Sequence, residues 1–190
     1  YDGKAATADE TGKIFTLSTG DTVTITPTAE GVKDYNANYN ENNTYNYEIS
    51  NAGSYSDVTA NVGTLSINKR DVNLVSESGE KPYDGEPLTK PTVTGWQQSG
   101  DTGFVTGEVS DVQATGSVTT VAEGEVTNTI VYTEGENFKA ANYNINKDEG
   151  TLKITASKAA LVIESSTNSW TYDGTTHKDE VYTVTYDGKA

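Results

Sequence analysis

Asp21-Thr22-Val23-Thr24-Ile25-Thr26-Pro27 alternates polar and apolar side chains. A period of two is that of a β-strand, and it sets Val23 and Ile25 on one face, toward a core. Tyr182, Val184 and Tyr186 repeat the pattern near the other end of the chain, and residues 103–109 and 127–132 read as central strands. The Tyr-Asp-Gly tripeptides at 83–85 and 172–174 read as strand ends. There Asp accepts turn N–H bonds and Gly permits positive φ. Short strands divided by Gly-containing turns, without a long helical run, predict an all-β fold of β-sandwich type.

Composition agrees. The chain has 190 residues, of which 33% are hydrophobic and 22% charged, proportions that suit thin layers of sheet rather than a thick α/β core. The formal net charge of −15 repels phosphate backbones and anionic lipid, so neither nucleic acid nor a membrane surface is an expected partner. The sequence also contains no apolar stretch long enough for membrane insertion. Cys is absent, which leaves packing, neighbouring repeats or another crosslink to stabilise the fold.

Two repeats order the chain. Tyr1-Asp2-Gly3-Lys4-Ala5 returns letter for letter as Tyr186-Asp187-Gly188-Lys189-Ala190, as expected for one period of a tandem array cut in mid-module. A shorter repeat lies inside it. Gly63-Thr64-Leu65-Ser66-Ile67 matches Gly150-Thr151-Leu152-Lys153-Ile154, and Tyr83-Asp84-Gly85 matches Tyr172-Asp173-Gly174. Asn43-Thr44 and Tyr47 align with Asn128-Thr129 and Tyr132, and Ser54-Tyr55-Ser56 aligns with Asn142-Tyr143-Asn144. The order of these landmarks divides the chain into residues 1–69, the latter part of a module without its opening strands; 70–156, a complete module; and 157–190, the opening strands of the next. Residues 1–69 alone would present an open sheet edge, a site for strand addition. The expectation is therefore head-to-tail strand complementation between copies, 157–190 of one completing 1–69 of another, with a fold-back within one chain as the alternative.

A Lys or Arg at the module opening, Tyr83-Asp84-Gly85 about a dozen residues on, and a close of Asn142-Tyr143-Asn144-Ile145 and Gly150–Ile154 resemble the MBG-type β-repeats. Those repeats build large secreted and wall-attached proteins of Gram-positive bacteria, many from the gut, whose β-modules are commonly free of Cys. The resemblance implies two tandem immunoglobulin-like β-sandwich domains, display on the bacterial cell surface, and adhesion. It also implies binding of a host protein, with immunoglobulin, engaged in a superantigen-like manner, as the first candidate. The loop Gly95-Trp96-Gln97-Gln98-Ser99-Gly100 departs from the family pattern, carrying a Trp where a short Gly and acidic turn is expected.

The residues offer little for catalysis. His177 is the lone histidine, it sits in a turn-like segment, and there is no Cys nucleophile or Gly-x-Ser-x-Gly elbow. No catalytic residue, metal ligand or cofactor is assigned. Asp34, Asn36, Asn38 and Asn40 superficially resemble a calcium loop, but Tyr39 and Tyr45 stand where that loop needs Gly and Glu. A polar strand and turn is the simpler reading. Lys69 and Lys153 are positional candidates for an intramolecular isopeptide bond, although alternation turns Lys153 outward.

Binding surface remains. Tyr35 and Tyr39 have no counterparts among the aligned landmarks, and Tyr gives broad amphipathic contact at low entropic cost. Trp96 beside Gln97 and Gln98 is hot-spot chemistry, or else a cap on the sandwich end. The expected function is a non-enzymatic surface module that binds a host protein through Trp96, Gln97, Gln98, Tyr35 and Tyr39. The alternatives are a spacer projecting an adhesin, and a carbohydrate- or mucin-binding module using the aromatic side chains as stacking platforms.

Overall fold

The computed structural model describes residues 2–4, 12–36 and 41–189. The fold is all-β: helix among the described residues is confined to single 3₁₀ turns at Ala52–Ser54, Val121–Glu123 and Ala140–Asn142. Strands β1 (Lys13–Thr16), β2 (Thr22–Pro27) and β3 (Tyr45–Ile49) form an antiparallel sheet in that order. Then come β4 (Arg70–Ser76), β5 (Gly79–Pro82), β6 (Leu88–Thr89), β7 (Val93–Thr94), β8 (Val109–Ala114) and β9 (Ser117–Val118). They are followed by β10 (Glu125–Thr127), β11 (Ile130–Glu134), β12 (Tyr143–Asp148) and β13 (Thr151–Thr155). A hairpin of β14 (Leu161–Ser165) and β15 (Tyr182–Tyr186) ends the described chain.

Between residues 70 and 155 the sheets are closed by pairings of long sequence separation. β12 lies parallel to β4, with Ile145 opposite Val72, and β13 lies parallel to β5, with Leu152 opposite Gly79. β4 alternates buried and exposed residues over its whole length, Val72 and Leu74 pointing inward. They pack with Val93, Phe104, Ala114, Ile130 and Tyr143, and a second cluster gathers Val118, Leu152 and Ile154. The side chain of the fully buried Asn128 bridges the two ends of this segment. Its Nδ2 donates to the carbonyls of Glu77 and Lys90, and its Oδ1 accepts from the Gly116 amide.

Two of the strand expectations are modified. Residues 103–108 form a loop, and the strand starts only at Val109, because Gly103 and Gly107 both adopt positive φ and interrupt extension. Val23 and Ile25 are half-buried, and so are Thr22 and Thr24. No second layer covers β2 among the described residues, so the alternation of the sequence does not become an alternation of burial.

The internal repeat has a structural counterpart in register. β14 pairs with β15 as β4 pairs with β7: Glu164 lies opposite Thr183 and Ser165 opposite Tyr182, where Val75 faces Thr94 and Ser76 faces Val93. Asp84 accepts the Glu86 amide and Asp173 the Thr175 amide, as the turn reading of both Tyr-Asp-Gly tripeptides requires. Asn43 N–H donates to Gly63 O as Asn128 N–H donates to Gly150 O. Tyr55 Oη donates to Asp21 Oδ2 at 2.8 Å, and Tyr143 Oη to Glu108 Oε2 at 2.6 Å. Both tyrosines follow a 3₁₀ turn and cap it through their own N–H.

Candidate functional site

The loop carrying Trp96 is built by its glycines and by Arg70. Gly95 has φ +78°, and a Cβ there would stand 1.9 Å from the carbonyl oxygen of Asn73. Gly103 has φ +76°, and its Cβ would stand 2.0 Å from Gln97 O. Only Gly fits either contact. The buried Arg70 guanidinium reaches into the loop, donating to Gly103 O at 2.6 Å, Thr102 O at 2.7 Å and Gly100 O at 2.5 Å. The Phe104 amide returns to Trp96 O at 2.8 Å, and Gln98 Oε1 accepts from both the amide and the hydroxyl of Thr106. Planar Arg with several carbonyl acceptors makes a rigid anchor for such a loop.

This framework opens a cleft of about 360 Å³ lined by Trp96, Gln97, Gln98, Phe104, Val105 and Val109, among others. Trp96 is half-buried against the aromatic core, while Gln97 and Gln98 are exposed. One part of the Trp96 indole packs against the core and another lines the cleft. Behind it, Phe104 contacts Tyr132, Phe138 and Tyr143 at centroid distances of 5.2, 5.9 and 5.3 Å. Burial raises the Tyr132 hydroxyl above the usual phenol range, and Glu134 adds to the effect. Gly3 abuts the Val105 side chain at the edge of the cleft.

Tyr35 lies elsewhere. Its amide donates to Asn142 Oδ1 at 2.8 Å, and Lys69 Nζ stands 5.0 Å from the centre of its ring. The neighbouring Asp34 pairs with Lys139 at 2.5 Å and accepts from Asn142 Nδ2, and these bonds, the Lys139 one first, hold its carboxyl below the ordinary range. Tyr35 thus belongs to a junction between residues 34–36 and the turn before β12, rather than to the cleft. Tyr39 lies outside the described residues. Tyr47, which aligns with Tyr132 in the internal repeat, lies on β3 and is exposed.

The other candidates are placed as follows. Lys69 and Lys153 are both exposed, outside the buried acidic setting that an isopeptide bond needs. Among the described residues no group of His, Asp and Glu is arranged to hold a metal ion. No helix among them is long and apolar enough to cross a membrane. His177 stacks on Trp170 at 5.0 Å, and its Nε2 faces Asp173 Oδ1 at 3.0 Å and Thr175 Oγ1 at 3.5 Å. A triad needs the acid on one ring nitrogen and the nucleophile on the other, and here both share Nε2. Trp170, half exposed beside His177, is an aromatic surface that spacing alone did not single out.

No family model, curated protein sequence or solved structure matches the chain significantly.

Proposed function

We propose that the chain is a non-enzymatic repeat module of a bacterial surface protein, built of immunoglobulin-like β-sandwich units, which binds a host protein at the Trp96 cleft. The observation that carries the reading is the combination of a rigid, Arg70-anchored loop with a half-buried Trp and two exposed Gln side chains beside an open cavity. Interface hot spots take this form: an aromatic anchor whose base is fixed by packing, next to adaptable polar groups. The acidic surface favours a partner with basic or neutral contact groups. Immunoglobulin is the first ligand to try, on the strength of the MBG resemblance. Neighbouring repeats of the array are further partners, and display in many copies would raise a weak single-site affinity.

Capture of proteins from human serum and mucosal secretions on the immobilised chain tests this. Enrichment of one host protein, reduced about 30-fold or more in affinity by Trp96→Ala and by several-fold in Gln97→Ala, is the expected outcome. Gln97 is exposed, so its variant separates lost contact from lost packing. A blank from a folded protein favours the spacer, and elution by free sugar favours the glycan reading.

A further inference from the structure

Among the described residues, 157–189 hold an exposed apolar strand surface, and 12–69 hold strand-like positions without a paired strand. In the β4–β7 pair Val72 and Leu74 are both 0% exposed. At the same register positions of the β14–β15 pair, Leu161 and Ile163 are 63% and 69% exposed. Among the described residues the hairpin and its connecting loop make no hydrogen bond outside 157–189. Among the described residues no hydrogen bond therefore joins this hairpin to the 12–69 segment.

The deficit in 12–69 has the matching shape. Residues 143–148 pair in parallel with β4, and residues 151–155 lie between β5 and β10. Their counterparts, 55–60 and 64–68, are not strands, although the β2–β3 hairpin beside them is formed. Asn36 and Asn42 bond the backbone of Leu65 and Ile67 from one side. Ser66 between them has no backbone partner among the described residues. Asn43 is the counterpart of Asn128, but its side chain lacks the carbonyl partners that Asn128 finds on Glu77 and Lys90. Among the described residues no strand stands to 12–69 as β4, β5 and β7 stand to 109–155, and the 157–189 segment carries the matching sequence.

We propose that a second copy of this sequence is the occupant: β14 and residues 168–171 of one copy add in parallel to residues 57–61 and 64–68 of another. Carrying over the register of β4 on β12 and of β5 on β13 sets Leu161 opposite Asp57 and Trp170 opposite Ile67. The carbonyls of Ser166 and Asp179 then come to Asn43 as those of Glu77 and Lys90 come to Asn128. Parallel addition of an extended segment satisfies backbone groups on both partners, and alternate side chains set the register. The pairing is independent of host binding, so a blank serum capture leaves it standing.

The sequence contains no Cys, which permits a direct test in the 190-residue chain. Asp57→Cys chains are mixed with Leu161→Cys chains under mild oxidation; both sites are exposed, so neither variant threatens the core. Facing positions on adjacent strands meet the distance a disulfide requires. A mixed disulfide dimer that exceeds either self-dimer at least tenfold is the expected result. Leu161→Cys with Ser66→Cys, out of register, should give far less. Predominant Leu161→Cys self-dimer would overturn the proposal in favour of hairpin-to-hairpin pairing, and absence of any mixed dimer would overturn it outright. As a second readout, the mass of the unmodified chain in sedimentation should rise with concentration, and Ile163→Asp should abolish the rise. A chain that stays monomeric at every concentration contradicts the pairing.

Discussion

Val72 and Leu74 lie in the core, while Leu161 and Ile163 face solvent from equivalent places in a hairpin of the same register. Tyr143 is enclosed by Phe104 and Phe138, while Tyr55, bonded to an equivalent carboxylate, stays half-exposed. Each local element forms in both regions: the hairpins, the 3₁₀ turn with its Tyr, the Asp-capped turn. Among the described residues, parallel pairings of strands, β4–β12 and β5–β13, which join residues more than 70 positions apart, occur only between residues 70 and 155. Local pairing is thus sufficient to set register but not to bury a face. Burial needs the first and last strands of a unit to meet, since only then is there a second layer.

Substitution in the core breaks this contrast most strongly. Phe104→Ala should lower unfolding free energy by about 3–5 kcal/mol, while Phe15→Ala on the exposed β1 should change it by no more than about 0.5 kcal/mol. Urea denaturation of both variants checks it; equal losses would mean that the 12–49 sheet is covered in solution. Next comes Asn128→Ala, which strips partners from one buried amide and two carbonyls and should cost about 2 kcal/mol. Asn43→Ala should cost less than about 0.5 kcal/mol in dilute protein. A larger Asn43 effect at high concentration would sharpen the comparison, because it would show the site being completed.

Gly95→Ala tests the Trp96 loop. A Cβ against Asn73 O at positive φ should cost about 1–3 kcal/mol and shift Trp96 fluorescence, whereas Gly20→Ala, also at positive φ but in open space, should leave that fluorescence unchanged. The smallest effect belongs to the Asp34–Lys139 contact, whose side chains are well exposed, at about 0.5 kcal/mol or less. The folded Asp34 carboxyl titrates below its ordinary 3.8. Its contribution is therefore present above that value and is lost as pH falls through the lower folded one. The melting-temperature difference between the natural chain and Lys139→Ala should persist at neutral pH and be lost as pH falls well below 3.8. A difference that does not change with pH would mean that Lys139 acts through packing alone.

Much of the fold was legible because its signals are local. Alternation and Gly-rich turns announced an all-β chain, and the Tyr-Asp-Gly turns were read with the right hydrogen bond. The Trp96 loop was read as a departure, and it forms the rim of a cleft with Gln97 and Gln98. What escaped were consequences of contacts between distant residues. Nothing around residue 70 says that Arg70 would anchor a loop thirty positions on, or that Tyr35 would lie against Asn142. Residues 103–108 looked like a strand by hydrophobicity, yet two glycines at positive φ make them a loop that delivers Phe104 to the core.

The amino-acid sequence by itself determined the all-β class and the turn chemistry, because each depends on residues within a few positions of one another. Tertiary structure alone decided which faces are covered, that Trp96 is half-anchored and half-open, and that β14 lies bare. Covering a face requires strands far apart in the chain to come together, and whether they do depends on which strands are present, not on the local pattern.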